Sequence, residues 1–187
     1  MAGDAHNLFL ALWPDAAVRG RLALAARAAI VANGLRGRPV DPARYHLTLH
    51  FLGRHAGLPQ DVLARARAAA HEVSASAFTM RIDRVGCFRA ARMPLWLGCR
   101  QPPEALGALH AALAAALRRH GCAPAREGAL VPHVTVLRDA RPACAAALDR
   151  PVAWPVDDFV LVDSAIGSGS PYAVVSRWPL HQAVPAS

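Results

Sequence analysis

Lysine is absent from these 187 residues; all 21 basic residues are arginine. That absence removes a Walker-type phosphate loop, a Schiff-base lysine and a lysine nucleophile for adenylyl transfer. Cysteine is sparse, and Cys87, Cys99, Cys122 and Cys144 show neither C-x-x-C spacing nor a nearby histidine pair of zinc-finger spacing. Free buried thiols in a reduced, cytoplasmic compartment are therefore expected, rather than a disulfide framework. No apolar run reaches the roughly 18 residues of a membrane helix, so no membrane association is expected. Asp4 and His6 precede the first apolar run, with no basic region or cleavage site, so no signal peptide is expected. Acidic residues number 13, and no carboxylate cluster suited to Mg²⁺ is evident; neither a metal nor another cofactor is expected. Threonine occurs only at Thr48, Thr79 and Thr135.

At 54% hydrophobic and 18% charged residues, the chain can bury a large core. Its length suits one domain over residues 1–187, with two lobes. The use of arginine alone reads as compositional bias. The net charge of +8 still favours phosphate-bearing partners, because guanidinium groups pair with phosphate oxygens.

Two of the three threonines follow a histidine by two positions, in HLTLHFLG (His46, Thr48) and HVTVLRDA (His133, Thr135). Composition alone would put a histidine there about 5% of the time. Both segments alternate in the manner of half-buried strands. One His-x-Thr strand alone reads most simply as a structural histidine beside a β-favouring threonine. Two in matching contexts read as two halves of one site.

The pattern predicts a strand at 8–13 and a helix from Asp15 to about Ala32, with Val18, Leu22, Ala25, Ala26 and Ala29 inward. A loop over Gly34–Pro42 leads to a strand Tyr45–Leu52, ended by Gly53. A helix begins at Pro59, and strands follow at Phe78–Phe88 and Leu95–Arg100 around a turn with Arg89 and Arg92. A helix from Pro102–Glu104 carries Leu106, Leu109, Leu113 and Leu117 and stops at Gly121. Val131–Leu137 is the second motif strand, and a short helix is expected near Ala143–Leu148. Strands at Phe159–Ser164 and Tyr172–Trp178, joined by the turn Gly167–Ser170, complete an α+β fold. It is bilobal: two antiparallel-sheet lobes with outer helices and a central cleft.

Strand alternation places His46, Thr48 and His50 on one face, with Tyr45, Leu47, Leu49 and Phe51 on the other. His133 and Thr135 likewise share a face. Two such strands side by side would surround an anion with two imidazoles and two hydroxyls. This set suits phosphodiester chemistry: near pH 7 one imidazole can be a neutral base and the other a charged acid, while hydroxyls hold non-bridging oxygens. No metal is required.

RYHLTLHFLG at 44–53, PLWLGCRQPP at 94–103 and PHVTVLRDA at 132–140 carry a resemblance extending from LFLALW (8–13) to SRWPL (176–180). The chain resembles the two-histidine phosphoesterase superfamily, and within it the bacterial RNA 2′,3′-cyclic phosphodiesterases, historically also called 2′-5′ RNA ligases. The resemblance implies hydrolysis of RNA ends or nucleotides bearing a 2′,3′-cyclic phosphate to 2′-phosphomonoesters. It implies His46 as proton donor to the departing 3′ oxygen, His133 as base toward water, and Thr48 and Thr135 as phosphate ligands. Arg138 matches a family position that would lend charge to the phosphate or nucleotide. Strand parity nevertheless sets Arg138 opposite His133, so it reaches the cleft only if the strand has ended or bulged. The alternative for it is a solvated arginine beside Asp139. His50 is expected on the cleft wall or the surface. Phe9, Phe51 and Trp96 are expected in the core. The histidines at 55, 71, 110, 120 and 181 are expected on loops or helix surfaces. Reversible 2′-5′ RNA end joining and a non-catalytic RNA- or nucleotide-binding module stand as alternatives, and a monomer is the expected state.

Overall fold

The computed structural model describes residues 5–88, 93–125, 128–166 and 171–182. The chain runs through β1 (Ala5–Leu12), α1 (Ala16–Ala32), β2 (Arg36–Pro39), a 3₁₀ turn (Pro42–Arg44), β3 (Leu47–Ala56), α2 (Gln60–His71), β4 (Phe78–Cys87) and β5 (Leu95–Gly98). It continues with α3 (Glu104–Arg119), β6 (His133–Arg141), β7 (Ala145–Val156), β8 (Asp158–Ile166) and β9 (Ala173–Pro179). One antiparallel sheet has the order β3-β1-β8-β9 and the other β2-β6-β5-β4-β7.

Local chemistry fixes the helices. The Asp15 carboxylate accepts the Val18 amide at 2.6 Å and caps α1, whose Val18, Leu22, Ala26 and Ala29 are buried. In α3 the leucines at 106, 109, 113 and 117 form the buried stripe, and Gly121, at φ 64°, ends it. The lobes are interleaved in sequence. The first sheet takes β1 and β3 from the start and β8 and β9 from the end of the chain. Helix α1 leaves the first sheet to pack on β7 of the other lobe and on the 3₁₀ turn. Helix α3 leaves the second sheet to pack on α2 and β3. One connected apolar cluster, running from Leu8 and Leu22 through Leu97 and Leu109 to Val134 and Trp154, joins both lobes, and Phe9, Ala11, Val160 and Val162 form a second, smaller one.

Three expectations are corrected. The supposed loop 34–42 contains β2, which gains pairing from the exposed edge of β6. The alanine-rich stretch expected as a helix near Ala143–Leu148 is instead the start of β7, where Ala145–Ala147 complete the ladder of β4 and the open edge outweighs alanine's helix preference. Gly53 does not end β3: it sits within the strand at φ 118°, a left-handed conformation suited to glycine, beside a bulge that lets the ladder continue to Ala56. The arginine turn at 89–92 and the Gly167–Ser170 turn lie outside the described residues. The four cysteines are free thiols.

Candidate active site

Both motif histidines are held by the same device. The 3₁₀ turn, capped by Asp41, delivers His46 just ahead of β3, where its Nδ1 lies 2.7 Å from the Arg44 carbonyl. His133 opens β6 with its Nδ1 2.7 Å from the Val131 carbonyl. A carbonyl only accepts, so Nδ1 carries the proton in each ring, and a neutral ring keeps its Nε2 lone pair free. Strands β3 and β6 approach within 8 Å Cα–Cα, although they belong to different sheets.

A bulge follows each threonine. In β3, Ala11 opposes Thr48 and Leu10 opposes His50, leaving Leu49 unopposed. In β6, Trp96 opposes Thr135 and Leu95 opposes Leu137, leaving Val136 unopposed. A slip of one residue exchanges the faces of everything beyond it. The expectation for His50 is therefore corrected. Only 4% exposed, it donates from Nε2 to the His110 carbonyl at 2.8 Å and stacks on the His110 ring at 4.1 Å. Burial drives its pKa down to about 4. Phe51 turns the opposite way, to the face of its cross-strand partner Phe9. Arg138 reaches the cleft because β6 has bulged, and Asp139 is instead held by Arg38, at 2.6 Å from Nη2.

Phe9 is buried as expected, and it also touches the site. It stacks on the His46 ring at 4.8 Å, with Trp13 at 5.7 Å and Tyr172 edge-on at 5.6 Å. Phe88 meets His133 edge-on at 4.8 Å. Trp96, half-buried beside Thr135, lies over Gly86, where an added Cβ would stand 2.5 Å from the indole. Burial lowers the pKa of His46, and the nearby His133 and Arg138 charges push it further down against the Arg44 carbonyl. Burial also lowers His133, against the Val131 carbonyl.

A cavity of about 310 Å³ opens here, with His46, Thr135, Arg138, Arg38, Arg44 and Tyr172 in its wall. Thr48 and His133, both half-buried, stand beside it rather than in its lining. Phe9, Trp13, Tyr172, Arg38 and Arg44 carry no role in the sequence reading. Phe9 alternates with Leu8 and Leu10, which signals a second face; nothing in the motifs points to Tyr172. Among the described residues, no three His, Cys, Asp or Glu side chains converge to hold a metal ion.

The model of the 2′-5′ RNA ligase superfamily matches residues 17–166. The chain belongs to this superfamily. Members similar to it include the RNA 2′,3′-cyclic phosphodiesterase of Escherichia coli (strain K12), 33% identical over 150 residues, covering 78% of this chain and 81% of that protein. The crystal structure of E. coli LigT in apo form aligns with a TM-score of 0.78 at 30% identity, covering 96% of this chain and all of that one. E. coli LigT complexed with 3′-AMP aligns at 0.76 and 29% identity, covering 95% and 99%. In this superfamily member, too, the fold is two antiparallel sheets flanked by three α-helices, and no described helix is long and apolar enough to cross a membrane.

Proposed function

We propose that the chain hydrolyses 2′,3′-cyclic phosphate ends of RNA to 2′-phosphomonoesters by general acid–base catalysis between His46 and His133. The observation that carries this reading is the pair of matched imidazoles, each with Nδ1–H fixed by the carbonyl two residues back, on adjoining strands of two sheets. In the reaction a water oxygen bonds to phosphorus while its proton passes to Nε2 of His133. The P–O3′ bond breaks as Nε2 of imidazolium His46 gives its proton to the departing oxygen. The acid and base assignments follow the family resemblance. Thr48 and Thr135 donate to non-bridging oxygens, and Arg138 offsets the charge that builds on them. No metal takes part. The same reading makes residues 1–187 one bilobal unit, monomeric and cytoplasmic; the connected core supports the first of these.

The test is hydrolysis of a 2′,3′-cyclic mononucleotide and of an RNA ending in 2′,3′-cyclic phosphate, in excess EDTA. Both are expected to be cleaved, and dependence on added metal would contradict the mechanism. His46→Ala and His133→Ala are each expected to lower kcat by about 10²–10⁴-fold with unchanged circular dichroism. A full rate in either variant removes that histidine from the chemistry.

A further inference from the structure

The cavity beside His46 holds more positive charge than one reacting phosphate uses. Three guanidiniums, of Arg38, Arg44 and Arg138, stand in its wall with a single carboxylate, Asp139, among the described lining residues. Arg38 and Arg138 are direct cross-strand partners between β2 and β6, an arrangement of like charges that disfavours the ladder. Asp139 holds Arg38 through Nε at 3.0 Å and Nη2 at 2.6 Å, from a backbone at φ 55° that non-glycine residues adopt uncommonly. The Arg44 guanidinium lies 5.3 Å from the centre of the Tyr172 ring, while its own carbonyl takes the His46 Nδ1–H. Arg44 thus ties the cavity to the acid imidazole. The cavity contains His46 and Thr135 but not His133, so it extends to one side of the reacting position. At about 310 Å³ it is at the small end for ligand sites, and its lining suits a compact anion.

We propose that Arg38 and Arg44 form a second anion subsite, which takes a phosphate other than the one that reacts. The proposal rests on the cyclic phosphodiesterase reading above. A 2′,3′-cyclic end has no nucleotide on its 3′ side, so the second phosphate is the one on the 5′ side of the terminal nucleotide. It is either an internucleotide diester or a terminal 5′-phosphate. The subsite makes the enzyme selective for cyclic ends that carry this phosphate.

Steady-state kinetics with three substrates test it: a cyclic mononucleotide with a 5′-hydroxyl, the same with a 5′-phosphate, and a dinucleotide ending in cyclic phosphate. The wild type is expected to show a KM about tenfold lower where the second phosphate is present, with kcat nearly unchanged. A gain for both phosphorylated substrates assigns a general phosphate site; a gain for the dinucleotide alone assigns the internucleotide diester. In Arg38→Gln/Arg44→Gln, and in Arg44→Gln alone should the double variant misfold, that preference is expected to fall towards unity. A wild type without preference, or a preference that survives in the variants, overturns the subsite. Calorimetric binding of a nucleoside 2′,5′-bisphosphate against the 2′-monophosphate reads the same ratio without turnover. Loss of hydrolysis on all three substrates would sink the catalytic reading, while the binding ratio still decides the subsite.

Discussion

Burial and adjacent positive charge lower the proton affinity of His46, and burial lowers that of His133. The proposed chemistry needs one proton shared between them, so the active form peaks midway between two pKa values that both lie below 6.5 in the free enzyme. The expected kcat/KM optimum therefore falls below pH 6.5. Bound phosphate favours the imidazolium, so kcat is expected to peak at higher pH than kcat/KM; coincident profiles would argue against imidazole acid catalysis. Arg138→Gln removes one charge that depresses His46. It is expected to lower kcat/KM by about tenfold or more while moving the optimum upward, a combination that simple loss of fold does not produce. At this scale the histidines and threonines were legible because His-x-Thr on alternating strands is a local pattern. Tyr172 and Trp13 were not, because they reach His46 from elements distant in sequence.

Strand parity read from sequence holds only until a bulge, and a bulge is decided by the partner strand. His46 to Thr48 and His133 to Thr135 lie before their bulges, so no slip intervenes within either pair. His50, Phe51 and Arg138 lie after, and their faces exchange. The two bulges occupy the same place in each motif, so Phe51 and Arg138 occupy corresponding positions in the two strands. The floor under Thr135 depends on a different pairing. Trp96 lies over Gly86, where a Cβ would sit 2.5 Å from the ring, a contact that requires the indole or strand β4 to move. Gly86→Ala is expected to destabilise by about 1–3 kcal/mol, lowering Tm by several degrees in thermal unfolding. It is also expected to reduce kcat/KM, since Trp96 is the cross-strand neighbour of Thr135.

The whole molecule carries an acid-sensitive joint where α3 meets β3. His50 is buried neutral with its pKa lowered to about 4, while the unfolded chain protonates it near the reference value of about 6.5. Its contribution is fully present above the unfolded value and is lost as pH falls towards 4, by about 3 kcal/mol in all. His46, His110 and His133 are shifted in the same direction. Urea unfolding is expected to show a large loss of stability between pH 7.5 and 4.5, and a shallower one in His50→Gln. An equal slope in both would remove His50 as the cause. By itself the sequence determined the three described helices, seven of the nine described strands, the paired motifs and the chemistry they suit, because caps, periodicity and residue type act within a few positions. Only the tertiary structure decided that β2 and β7 are strands, that the lobes interleave, and which side chains beyond the threonines enter the cleft. Those outcomes depend on an open sheet edge or a slipped register, and both are properties of a partner strand far away in the chain.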